Sequence, residues 1–168
     1  WSGTGSSAYC WYNYNVTNLN YTVLDINRDR CWWSNSSGRW NSTTVAAGTN
    51  WTGANGFITK EGSNTVTVYC NDSANNLNSS SVTFFKDTIP PTIDISYPEN
   101  ITYNTNVTTI NYTTDGTNCW YSTDEGVTNN SVTCNVEITG LTSNEGSNTW
   151  IVWANDSNGV EAFDSITF

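Results

Sequence analysis

The sequence predicts an all-β protein built as two antiparallel sandwiches in tandem, and three observations carry that prediction. Apolar and polar residues alternate in short runs, with no stretch of helical period. An internal repeat divides the 168 residues into two halves. Between the halves stands Lys86-Asp87-Thr88-Ile89-Pro90-Pro91-Thr92, whose prolines remove backbone donors and favour an extended connector.

The repeat is read in three blocks. Residues 13–23, NYNVTNLNYTV, match residues 104–114, NTNVTTINYTT, at seven of eleven positions. Cys31-Trp32-Trp33-Ser34 matches Cys119-Trp120-Tyr121-Ser122. Residues 61–84 match residues 145–168 at twelve of twenty-four positions, beginning EGSNT in both copies. The offset falls from 91 to 88 to 84, so length changes sit between blocks, as loops between strands do. The expected domains are residues 1–87 and 92–168, joined by a linker at 88–91.

In the second copy the strands are expected at 92–97, 108–113, 118–122, 131–138, 149–155 and 162–168. Pro98-Glu99-Asn100, Asp115-Gly116, Glu125-Gly126, Glu145-Gly146 and Asn158-Gly159 supply the turns between them. Alternation puts Val66, Val68 and Cys70 on one inward face, and Trp150, Val152 and Ala154 on its counterpart. Six or seven short strands in about 80 residues give an immunoglobulin-like arrangement. The DTIPPT connector, the CWYS strand and the EGSNTW…ANDS block resemble the tandem Ig-like repeats of prokaryotic, especially archaeal, cell-surface glycoproteins. That resemblance implies an extracellular, non-catalytic module and leaves its ligand open. The first copy departs from the pattern at its start, where residues 1–6 read WSGTGS opposite TIDISY at 92–97. Only residues 8–14 are strand-like there. Either they fill the edge of their own domain, or the N-terminal segment pairs with a neighbouring chain by strand addition.

Composition narrows the function classes. Asn, Ser and Thr make up 72 of the 168 residues, yet 36% hydrophobic and 14% aromatic residues suffice for a core. The net charge of −10, without a basic cluster, disfavours a nucleic-acid partner. No apolar run reaches the roughly 18 residues of a membrane span. A chain beginning at Trp1 is expected to have lost an upstream segment such as a signal peptide, or to be a cloned fragment. The Asn content argues against a hyperthermophilic source.

Twelve sequons mark candidate N-glycosylation sites: Asn15, Asn20, Asn35, Asn41, Asn50, Asn71, Asn78, Asn100, Asn106, Asn111, Asn129 and Asn155. Composition alone yields about seven. The pairs Asn15/Asn106, Asn20/Asn111 and Asn71/Asn155 recur at matching repeat positions. Covalent N-glycans would keep so weakly charged a chain soluble outside the cell. The five cysteines form no CxxC pair and have no His beside them, so disulfides in an oxidising compartment are expected. Cys119 and Cys134 are the only two of their copy. Cys31 has Cys70 or Cys10 as partner, with Cys70 favoured. Cys10 is then left for a bond between chains or as a buried thiol.

Nine tryptophans are many for this length. Trp32 and Trp120 match between copies and are expected in the core or packed on the sheet. Trp33, Trp40, Trp51 and Trp153 are the surface candidates, for stacking on sugars or for an interface. With no histidine there is no Ser-His-Asp or Cys-His pair, and the acids sit mostly in turns, so no enzyme is expected. Asp72 and Asp156 read as caps of turn amides. No cofactor is expected. Calcium at Asp87 and Asp94 lacks the spaced loop that would support it. The leading expectation is a structural surface protein assembling with itself into a fibre, stalk or layer. The alternative is an adhesin or carbohydrate-binding module.

Overall fold

The computed structural model describes residues 10–36 and 38–168, and the chain divides into two compact units between Thr88 and Ile89. It is all-β, with thirteen strands and one 3-10 turn at Gly53–Asn55 among the described residues. Unit 1 holds β1 (Trp11–Tyr12), β2 (Asn18–Leu19), β3 (Arg28–Ser34), β4 (Val45–Ala46), β5 (Trp51–Thr52), β6 (Gly62–Asp72) and β7 (Leu77–Lys86). One sheet runs β1-β7-β6-β3-β4 and a second pairs β2 with β5. Unit 2 holds β8 (Ile93–Tyr97), β9 (Asn111–Thr114), β10 (Asn118–Ser122), β11 (Asn130–Val132), β12 (Thr149–Asn155) and β13 (Glu161–Thr167). Its larger sheet runs β11-β10-β12-β13 and its smaller pairs β8 with β9.

Residues 118–122 and 149–155 are strands with the expected bounds. The single strand expected at 131–138 is two pieces. β11 ends at Val132, Asn135 takes a left-handed φ of 60°, and Ile138 then bridges Ile110 on the other sheet. The Asn135 side chain fixes this crossover, its Oδ1 accepting from Thr114 N and its Nδ2 donating to Thr114 O. In unit 1, Trp11–Tyr12 lies parallel to Phe85–Lys86 at the edge of its own sheet. Residues 1–9, including the expected poor strand at 1–6, lie outside the described residues.

Alternation along the central strands builds the cores. In β12, Trp150, Val152 and Ala154 are buried and alternate with half-exposed Thr149, Ile151, Trp153 and Asn155. Val107, Ile110, Tyr112, Cys119 and Ile138 complete that core. Unit 1 buries Leu19, Cys31, Trp33, Trp51, Phe57, Val66 and Phe84. Cys31 bonds to Cys70 and Cys119 to Cys134, while Cys10 is a free, half-buried thiol.

The identities between the repeats are largely polar clamps on the backbone. Buried Asn64 accepts from Lys60 N and donates to Lys60 O and Gly62 O. Asn148 makes the same three bonds to Asn144 N, Asn144 O and Gly146 O. The turn needs Gly62 and Gly146 at φ 77° and 89°, which explains EGSN as a motif. Buried Ser34 and Ser122 fold the chain after their strands, accepting from Gly38 N and Gly126 N at 2.9 Å. Asp72 and Asp156 each accept two turn amides, from Ala74 and Asn76 and from Asn158 and Val160.

One ion pair ties down the end of unit 1. Lys86 is buried, sits 2.8 Å from the Glu61 carboxylate and donates to Asn15 Oδ1. Glu61 also accepts from Thr88 N and Thr88 Oγ1, so it holds the start of the connector. These bonds, the Lys86 one foremost, lower its pKa from 4.5 to about 2. A depressed carboxyl pKa stabilises the fold above its unfolded value and loses that contribution as pH falls through the folded one. Glu61→Gln should therefore lower the unfolding midpoint at pH 7, with a difference that shrinks between pH 4.5 and about 2. Thermal unfolding across that range checks this, and a difference independent of pH would refute it.

Candidate functional site

The outer face of the β10–β12–β13 sheet carries a row of aromatic rings. Trp120 lies opposite Trp153, and Trp153 opposite Phe163, in direct cross-strand register. The indoles of Trp120 and Trp153 stack, with centroids 6.4 Å apart and planes 6° from parallel. Phe163 continues the row at 6.5 Å and is 63% exposed. Gly126 turns beside the Trp153 ring at a φ of 90°, where a Cβ would stand at ordinary contact distance, 3.6 Å. Unit 1 repeats only two members, Trp32 stacked on Tyr69 at 5.8 Å, with Ser79 opposite Tyr69 as the next residue.

This placement corrects the tryptophan assignments. Trp33 and Trp51 were expected at the surface and are both 1% exposed. Cys31 starts the inward phase of β3, so Trp33 follows it into the core and Trp32 turns outward. Trp51 pairs with inward Leu19 and stacks on Tyr21 at 5.0 Å. Trp32 and Trp120, expected in the core or packed on the sheet, take the second place, as half-buried outer partners of the stacks. Trp40 is exposed, packing edge-on against Trp33, and Trp153 is half-buried on the outer face. The residues missed as surface candidates are Phe163, Trp120 and Trp32. Cross-strand register, rather than alternation along one strand, is the signal that finds them.

The sequon asparagines all reach solvent. Asn15, Asn20, Asn35, Asn41, Asn50, Asn78, Asn100, Asn106 and Asn129 are exposed, and Asn71, Asn111 and Asn155 are half-buried. N-glycosylation substitutes the amide nitrogen and leaves Oδ1 free to accept. Asn50, Asn106 and Asn155 use Oδ1 in this way, accepting from Tyr21 N, from Ser143 N and Oγ, and from Asn118 Nδ2. Asn71 differs, because its Nδ2 donates to Asn75 Oδ1 at 3.3 Å. Asn111 stands beside buried Tyr112 and Asn20 beside half-buried Tyr21, so in both copies the asparagine faces away from the core.

The acidic groups act on the backbone. Asp124 accepts from Ser122 Oγ and Thr128 N, bonds that bring its pKa down to about 2. Asp87 lies in unit 1 and Asp94 in unit 2. Among the described residues, no three His, Cys, Asp or Glu side chains gather as metal ligands would. No helix is long and apolar enough to cross a membrane among them.

No protein-family model and no curated protein matches the chain. Among solved structures, the fibronectin(III)-like modules of Clostridium thermocellum CbhA align with 94% of this chain and 86% of theirs, at 16% identity and a TM-score of 0.45. A superposition that loose carries no argument about function.

Proposed function

We propose that the chain is a structural, extracellular glycoprotein module: two Ig-like domains in tandem that assemble with copies of themselves into a surface fibre, stalk or layer. The observation that carries this reading is the placement of the twelve sequon asparagines, none of them buried, on a scaffold closed by two disulfides. Nearly half of all residues are Asn, Ser or Thr, so a surface with little charge gains its solubility from sugars. Disulfides fit an oxidising compartment outside the cell. On this reading Cys10 bonds between chains and the assembly needs no cofactor.

A second reading, a carbohydrate-binding module or adhesin, is favoured by the Trp120–Trp153–Phe163 row. Two near-parallel indoles and a phenyl ring tilted 43° to Trp153, on one sheet face, suit contact with pyranose rings, and their hydrogen-bond-poor surface gains from being covered.

The secreted, oxidised protein separates the two. Assembly predicts glycopeptides covering Asn20 and Asn111 by mass spectrometry, and extended particles by sedimentation and electron microscopy. A fully glycosylated chain that stays monomeric at high concentration would refute it. Saturable micromolar binding on a polysaccharide array, lost on Trp153→Ala, would establish the second reading instead.

A further inference from the structure

Strand β8 shows what one edge of this fold requires. In unit 2 it pairs with β9 and packs on β12 and β13. Its Ile93, Ile95 and Tyr97 are half-buried and pack against the core, while Asp94 and Ser96 are exposed. Asp164 Oδ2 accepts the Ile95 N–H at 2.8 Å. The repeat offsets carry each wall of this slot onto unit 1. Residues 111–114 map to 20–23, 152–156 to 68–72, and 160–164 to 76–80.

In unit 1 those same segments line a groove of about 410 Å³, open among the described residues, that includes Tyr21, Val23, Val68, Cys70, Leu77 and Ser80. Residues 21–25 belong to no strand. Burial reports the difference independently. Val152 and Ala154 are 0% exposed, whereas their counterparts Val68 and Cys70 are only half-buried. Tyr112 is buried and Tyr21 is not. On the rim, Leu24 is 96% and Leu77 60% exposed.

The chain's own sequence offers little to close this groove. At the 91-residue offset, Ser2, Thr4 and Ser6 stand where unit 2 has Ile93, Ile95 and Tyr97, with Gly3 and Gly5 between them. These residues supply no apolar side chain for the slot, and glycine is a weak strand former. We infer that the groove of unit 1 is an acceptor site for one β-strand from a neighbouring polypeptide. The strand adds antiparallel to residues 20–23 and presents apolar side chains at alternate positions over about five residues. Unit 2 defines the ligand's chemistry, because β8 is that strand already in place. The inference rests on the assembly reading and deepens it, the occupant being a partner strand with the alternating apolar chemistry of β8.

The test uses the full chain and a fluorescent synthetic peptide of residues 91–98, PTIDISYP, with a scrambled peptide as control. Saturable binding of the first peptide alone is expected by anisotropy. Leu77→Glu, on an exposed side chain, should weaken it at least tenfold without unfolding the protein. A variant carrying Ser2→Ile, Thr4→Ile and Ser6→Tyr should fill the slot from its own chain, abolish peptide binding and raise the thermal midpoint. Absence of saturable binding to the wild-type chain, or binding that Leu77→Glu leaves unchanged, would overturn the inference. Fibres that form equally well from the triple variant would discard the slot and keep the assembly reading. Peptide binding without fibres would keep the slot and discard that reading.

Discussion

Each unit depends on one antiparallel strand pair at its centre, β3 with β6 and β10 with β12. The inward residues of these pairs are the floor on which the smaller sheet rests, so their register decides which side chains leave water. In unit 1, Trp33 lies opposite Val68 and Cys31 opposite Cys70. In unit 2 the position of Trp33 is Tyr121, and the large inward ring has moved to Trp150 on the partner strand, where unit 1 has Val66. Unit 2 thus buries one indole, Trp150, where unit 1 buries two, Trp33 and Trp51. The Nε1 atoms of Trp33, Trp51 and Trp150 are buried with no acceptor among the described residues. An unmade hydrogen bond of that kind costs about 1–3 kcal/mol. Full burial of so large a ring, on the order of 150–250 Å² at about 25 cal/mol per Å², outweighs it.

The disulfides reinforce the same pair by different routes. Cys31–Cys70 joins the two central strands directly and spans 39 residues, for which loop-closure entropy gives about 4 kcal/mol. Cys119 faces Ala154 across the ladder and bonds to Cys134 instead, over 15 residues, for about 3 kcal/mol. In unit 2 that bond tethers the segment leading from β11 towards Ile138 and the other sheet. The repeat has thus kept a framework and exchanged its fastenings, as expected where total core volume matters more than the identity of each residue.

Much of this was legible in the sequence because it is local and periodic. Strands β10 and β12, the inward set Trp150, Val152 and Ala154, and the turn roles of Asp72 and Asp156 follow from alternation and short-range hydrogen bonding. What was illegible is non-local. The phase of β3 cannot be settled from Cys-Trp-Trp-Ser alone, because two adjacent tryptophans offer one ring to each face, and only the register with β6 chooses between them. Trp51 looks like a loop residue until its pairing with Leu19 places it in the core. The aromatic row needs Phe163 brought beside Trp153 by the β12–β13 ladder, a contact no single segment contains. The weakness of the first strand was visible in WSGTGS, but the groove it bears on appears only when both copies are compared wall by wall.

Two units of one design differ in the slot beside residues 20–23 and 111–114, which β8 fills in unit 2 and which is open among the described residues of unit 1. Hydrogen–deuterium exchange on the dilute, oxidised chain tests this difference most directly, because matched segments of one molecule serve as their own controls. Rapid exchange is expected at the backbone amide of Thr22, against protection at least a hundredfold stronger at its counterpart Thr113, which lies opposite Asp94 of β8. Equal protection of the two amides in the monomer would show that the slot of unit 1 is already closed, and would overturn its role as a strand acceptor.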